Sequence, residues 1–160
     1  MAKQQKPRVK LPPVQQVCIV VKDIDRAIEY YTSTFGMGPF SVLDVDMEGV
    51  LLRGKPISAK IKVAFADSGP LQIELIQPVE GKSIYTEFLD SKGEGLHHLA
   101  FQVDDLDALL AELSKEGIEP IWHQRLPQFG IAFAYLNTDR IGGVIFELIE
   151  VKKGTRQKDT

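Results

Sequence analysis

Four polar residues stand at matched places in strand-like segments: Gln16 in QVCIVV, Glu74 in LQIELIQ, His98 in HLAFQV and Glu147 in VIFELIE. In an extended chain, neighbouring side chains point to opposite faces. Val17, Ile19 and Val21 then share one face, and Gln16, Cys18 and Val20 the other. Leu99, Phe101 and Val103 oppose His98, Ala100 and Gln102; Ile73 and Leu75 oppose Glu74; Phe146 and Leu148 oppose Glu147. Each segment has one wholly apolar face and one polar residue standing out on the other. The contrast is weakest at Glu147, whose companions on its face are Ile145 and Ile149. If the four strands curve into one sheet, the four side chains converge on its concave face. An imidazole, two carboxylates and an amide oxygen are sound ligands for a divalent ion of the Zn, Co, Ni, Mn or Fe type. Two carboxylates buried together demand a cation or protons. These residues are therefore the candidate metal ligands.

The elements that position them repeat. QVCIVVKDIDRAIEYYTSTFGM (16–37) aligns with HLAFQVDDLDALLAELSKEGIE (98–119). Both run from an alternating strand to an Asp seven positions on, Asp23 and Asp105, which suits a helix N-cap. Helix-period apolar residues follow: Ile24, Ala27, Ile28 and Tyr31, then Leu106, Leu109, Leu110 and Leu113. Gly36 and Gly117 suit the helix ends. The strands 40–47 and 57–66 in one half, and 119–126 and 131–137 in the other, lead to the two segments that share Glu-Leu-Ile. The pattern is β-α-β-β-β twice, which predicts an α+β fold of two tandem modules forming one curved mixed or antiparallel sheet around a cavity. Module one spans 14–78, a linker helix lies within 79–95, and module two spans 96–151. Residues 1–13 and 152–160 read as flexible tails. MEGVLLRGKPISAK (47–60) reads as an extended connection. Of the adjacent pair His97 and His98, alternation sends only one into the pocket, and His97 is expected to reach solvent at the strand's start.

The chain has 160 residues, 44% hydrophobic and 26% charged, which suits one globular domain with a real core. No apolar run approaches the roughly 18 residues of a membrane span, and the N-terminus lacks a signal-peptide core. The lone cysteine, Cys18, fits a reducing cytoplasm. Eight of the 19 basic residues lie in the two terminal tens, leaving 11 against 21 acidic residues between them. So acidic a body argues against a nucleic-acid-binding face. Cys18 faces the cavity, but a small buried hydrophobe is the usual fate of a lone cysteine. Tyr135 has a hydroxyl to donate into the pocket, and His123 follows Trp122 on a strand that could meet substrate.

The duplicated unit, the HLAFQVDD and QVCIVVKD strand starts and the two ELI strands resemble the vicinal oxygen chelate superfamily. The resemblance covers about residues 14–151. That group includes glyoxalase I, methylmalonyl-CoA epimerase, extradiol dioxygenases and bleomycin-resistance proteins. Its ligand positions match Gln16, Glu74, His98 and Glu147. Gln, Glu, His and Glu is the ligand set of one class of glyoxalase I. QPVEGKSIYTEFLDSKGEGLHHLAFQVDD (77–105) instead resembles the epimerases, and the glyoxalase Asn-Trp-Gly and Asp-Pro-Asp-Gly-Tyr motifs are absent. The resemblance implies a metal-dependent isomerase acting alpha to a carbonyl or thioester through an enolate, with a divalent metal cofactor. Glyoxalase I (lactoylglutathione lyase) and a non-catalytic small-molecule binding protein are the alternatives. Under the epimerase reading Glu147 is the candidate base. Asp44, Asp46 and Glu48 share a strand phase from which one, best Glu48, could serve the opposite face. Lys60 and Lys62 could meet a phosphate of an acyl-CoA substrate. The resemblance also implies a homodimer, with no nucleic-acid or membrane partner.

Overall fold

The computed structural model describes residues 7–140 and 142–152. The terminal residues Lys3, Lys6, Lys153, Arg156 and Lys158 lie outside them. The elements run β1 (Gln16–Val20), α1 (Ile24–Phe35), β2 (Ser41–Leu52), β3 (Lys55–Ser68), β4 (Leu71–Gly81), α2 (Ile84–Lys92), β5 (Gly95–Val103), α3 (Leu106–Ser114), β6 (Pro120–Leu126), a 3-10 turn at Pro127–Phe129, β7 (Ile131–Leu136) and β8 (Ile145–Val151). Each half is β-α-β-β-β, with α2 between them.

The strands close into one barrel in the order β1-β4-β3-β2-β6-β7-β8-β5. Two neighbouring pairs are parallel, β1 with β4 and β5 with β8; the rest are antiparallel. The alternation in the sequence becomes inside and outside. Cys18, Val20, Met47, Leu52, Ile61, Val63, Ile76, Trp122 and Tyr135 fill the interior, and α2 adds Ile84 and Tyr85. The outer faces carry the other two helices. Ile24, Ala27, Ile28 and Tyr31 of α1 pack on Ala64, Ile73 and Leu75. Leu106, Leu109, Leu110 and Leu113 of α3 pack on Phe101, Ala134 and Leu148. Val9 and Leu11, read from sequence as part of a tail, also pack against that second layer.

Local chemistry fixes the helix starts. The Asp23 carboxylate accepts from the Arg26 amide at 3.0 Å, and that of Asp105 from the Ala108 amide at 2.9 Å. Gly36 closes α1 at φ 66°. The segment 47–60, expected as an extended connection, is instead the tip of a long hairpin. Arg53 at φ 50° and Gly54 at φ 75° make its two-residue turn. Asp44 lies opposite Lys62 and Asp46 opposite Lys60, so opposite charges face each other across the outer face while Val45 and Met47 point in.

Candidate metal centre

Three of the four sequence-predicted ligands meet. His98 Nε2 lies 3.2 Å from Glu74 Oε2 and 3.1 Å from Glu147 Oε2. The ladders bring this about. Cys18 on β1 sits opposite both Glu74 on β4 and His98 on β5. Ala100, two residues past His98, sits opposite Glu147 on β8. Gln16 is two residues before Cys18 on the same inward face, and its Nε2 donates to Gln72 Oε1 at 2.7 Å. That bond uses the amide nitrogen and leaves Oε1 as the free acceptor. Gln16, Glu74, His98 and Glu147 expose 7, 7, 0 and 5% of their surface.

The charge balance of this group is unusual for an interior. Burial disfavours charge on the His98 ring, yet its pKa stands well above the ordinary value. Cys18, Glu147 and Glu74 around it outweigh the burial. Burial raises the Glu147 carboxyl, opposed by His98. The site thus calls for positive charge at the imidazole. Despite the short contacts, His98 Nε2 and Glu74 Oε2 lack any aligned hydrogen bond. A ring nitrogen and a carboxylate oxygen, buried and turned to each other without a shared hydrogen bond, fit a cation held between them. A divalent ion would cancel two ionised carboxylates and leave the imidazole neutral. The donor set therefore fits a divalent metal.

Further groups surround these residues. Ligand atoms of Cys18, Glu74 and His98 lie within 4.8 Å of one another. Burial pushes the Cys18 thiol up to about 12. Tyr135 lies edge-on to His98, centroids 5.0 Å apart, and its hydroxyl meets that of Tyr85 at 2.9 Å. Burial raises both phenols well above the usual range. Tyr85 had no sequence signal, since it arrives on α2, which belongs to neither repeat. Gln72 shares the phase of Glu74 and was legible by that alone.

His97 corrects the expectation that it reaches solvent: it is 1% exposed. The ladder between β1 and β5 pairs Cys18 with His98 but Ile19 with Leu96, so His97 is an extra residue in a bulge. The bulge breaks the alternation, and both imidazoles turn inward. Glu48 stands apart from the group. Met47 and Val50 face the interior on either side of a second irregularity, and Glu48 is exposed. Asp44, Asp46 and His123 are exposed as well. Lys60 pairs with Glu80 at 3.3 Å and Lys62 with Asp25 at 3.8 Å, outside the barrel. A surface cavity of about 320 Å³ reaches His97 and is also lined by Arg53, Phe88, Lys92, Asn137 and Ile145.

The model of the Glyoxalase/Bleomycin resistance protein/Dioxygenase superfamily matches residues 15–135. The mouse mitochondrial methylmalonyl-CoA epimerase is 27% identical over 141 residues, covering 87% of this chain and 73% of that protein. YqjC of Bacillus subtilis is 36% identical over 96 residues, covering 58% and 67%. Among solved structures, the methylmalonyl-CoA epimerase of Mycobacterium tuberculosis superposes with TM-score 0.64 at 26% identity, covering 95% of this chain and 96% of that one. A Streptomyces coelicolor methylmalonyl-CoA epimerase variant in complex with 2-nitronate-propionyl-CoA gives 0.66 at 23%, covering 89% and 99%. With most of both repeats inside the matched span, and the barrel shared with those epimerases, the chain belongs to the Glyoxalase/Bleomycin resistance protein/Dioxygenase superfamily.

Proposed function

We propose that this protein is a metal-dependent isomerase that moves a proton on the carbon alpha to a carbonyl or thioester, of the methylmalonyl-CoA epimerase type. The observation that carries it is the convergence of Glu74 and Glu147 on His98 Nε2 inside an apolar barrel. Glu74, His98 and Glu147 would hold the ion, with the Gln16 Oε1 as a fourth donor. When bound, the ion polarises the substrate carbonyl as a Lewis acid and favours the enolate form. The residues supply the rest. Glu147, whose carboxyl is raised by burial, takes the alpha proton from one face to leave the enolate, and delivery of a proton to the opposite face, from solvent or a second acid, inverts the carbon. Tyr135, beside His98 and bonded to Tyr85, holds the aromatic wall of the site and excludes water. An acyl-CoA is the proposed substrate class, on the strength of the epimerase relatives, and a homodimer the proposed assembly.

The test is a substrate panel on the metal-loaded protein in deuterated water. We expect stoichiometric metal and deuterium exchange at the alpha carbon of a 2-methyl acyl thioester. Glu147→Gln should lower the exchange rate by about 10²-fold or more. Bound metal with no exchange on wild type, or turnover of a glutathione hemithioacetal instead, overturns the epimerase reading; the second outcome favours glyoxalase I chemistry.

A further inference from the structure

The His97–His98 pair carries an inference beyond the ligand set. His97 Nδ1 and His98 Nδ1 lie 2.9 Å apart, with the rings at 83° and both buried. Two bare lone pairs cannot sit that close, so one proton lies between them. The question is which ring owns it.

The answer follows from the other end of His98 and rests on the metal reading above. A neutral imidazole that ligates through Nε2 must carry its proton on Nδ1. We propose that His97 is a positioning residue: its Nδ1 accepts the His98 Nδ1 proton and thereby keeps the His98 Nε2 lone pair turned to the two carboxylates. The proton of His97 itself then sits on Nε2. That nitrogen has no hydrogen-bond partner among the described residues, so Nδ1 is the ring atom that the structure engages.

The packing supports a fixed acceptor. Tyr85 and Phe88, both from α2, clamp the His97 ring with centroids at 5.1 Å each. The bulge supplies the geometry, since a regular ladder would aim residue 97 at the outer layer. A purely packed aromatic would explain the burial and the ring contacts. It would not explain nitrogen facing nitrogen at hydrogen-bond distance. An acceptor behind a ligating histidine orients the ring and raises its basicity, and its loss typically costs 10–100-fold in metal affinity.

The experiment uses the full chain, labelled with ¹⁵N-histidine and loaded with Zn²⁺. Long-range ¹H–¹⁵N correlations report the protonation of each ring nitrogen. Expected are a proton on His98 Nδ1 with zinc on Nε2, and a proton on His97 Nε2. Chelator competition then compares variants. His97→Phe keeps the bulk without an acceptor and should bind Zn²⁺ about 10–100-fold more weakly. His97→Gln offers a carbonyl acceptor and should recover most of that loss. If His97→Phe does not fold, the wild-type spectrum decides alone. Zinc on His98 with the His97 proton on Nδ1, or a folded Phe variant binding as tightly as wild type, overturns this assignment and leaves the proposed function standing. No zinc signature at His98 overturns the proposed function, and this assignment with it.

Discussion

Glu74 and Glu147 repel each other across one imidazole, and a buried pair of carboxylates is stable only while something positive stays between them. The two therefore have opposite effects with and without metal. Glu74→Gln removes one buried charge, so the metal-free protein should gain about 1–3 kcal/mol in thermal unfolding. The same variant should bind metal more weakly and lose the stabilisation that metal gives the wild type. Melting curves with and without chelator check both signs; a metal-free loss of stability contradicts the charge argument. Cys18 gives a second expectation. Fully buried, and with its thiol pushed up to about 12, it should resist iodoacetamide at pH 8 until the protein unfolds. Intact-mass measurement before and after denaturant reads this directly. At this scale the sequence was informative about identity. Gln16, Glu74, His98 and Glu147 stood out by phase because each lies opposite a wholly apolar strand face at a place the repeat matches, although Gln72 and Gln102 share the faces of Glu74 and His98. Phase failed for His97, because one inserted residue inverts alternation without any change of residue type.

At the scale of elements, the helix starts were legible because an Asp N-cap acts locally, as Asp23 and Asp105 do. The β2–β3 hairpin was not, because Arg-Gly is a weaker turn signal than Asn-Gly and Arg53 takes a positive φ that its type rarely adopts. Glu48 keeps the phase of Asp44 and Asp46 as the sequence suggests, but that phase is the outer face, where all three are exposed. Gly81 gives the sharpest element-level prediction. At φ 79°, a Cβ there would lie 2.2 Å from the Ser58 carbonyl oxygen and 2.9 Å from the Ala59 Cα. Both are backbone atoms of the neighbouring strand, so no side chain can yield. Gly81→Ala should cost about 3 kcal/mol or more and lower Tm by roughly 10 °C. An unchanged Tm would mean that β3 and β4 are not held at this spacing.

For the molecule as a whole, the duplicated halves predicted one curved sheet but not its closure. Closure depends on a join between β2 and β6 that no periodicity announces. A single ladder pair, Leu52 with Trp122, makes it, together with the Arg53 amide bonded to the Ile121 carbonyl at 2.9 Å. The join between β1 and β5, by contrast, pairs five residues of β1. Hydrogen exchange should follow that difference, with the Arg53 amide exchanging well before that of Cys18, which lies opposite His98 on the β5 side. Equal protection at the two joins would show that closure is uniform.

The narrow join between β2 and β6 bears on how anything enters. Glu74, His98 and Glu147 are almost wholly shielded, so the thioester of the proposed function would reach them only when the wall parts. The barrel is thinnest where one residue pair spans it, and the cavity that ends at His97 shares Arg53 and Ile121 with that edge. Under the proposed function, turnover would be paced by how often this edge comes unzipped, and a covalent staple across it would stop proton exchange while leaving the metal site intact.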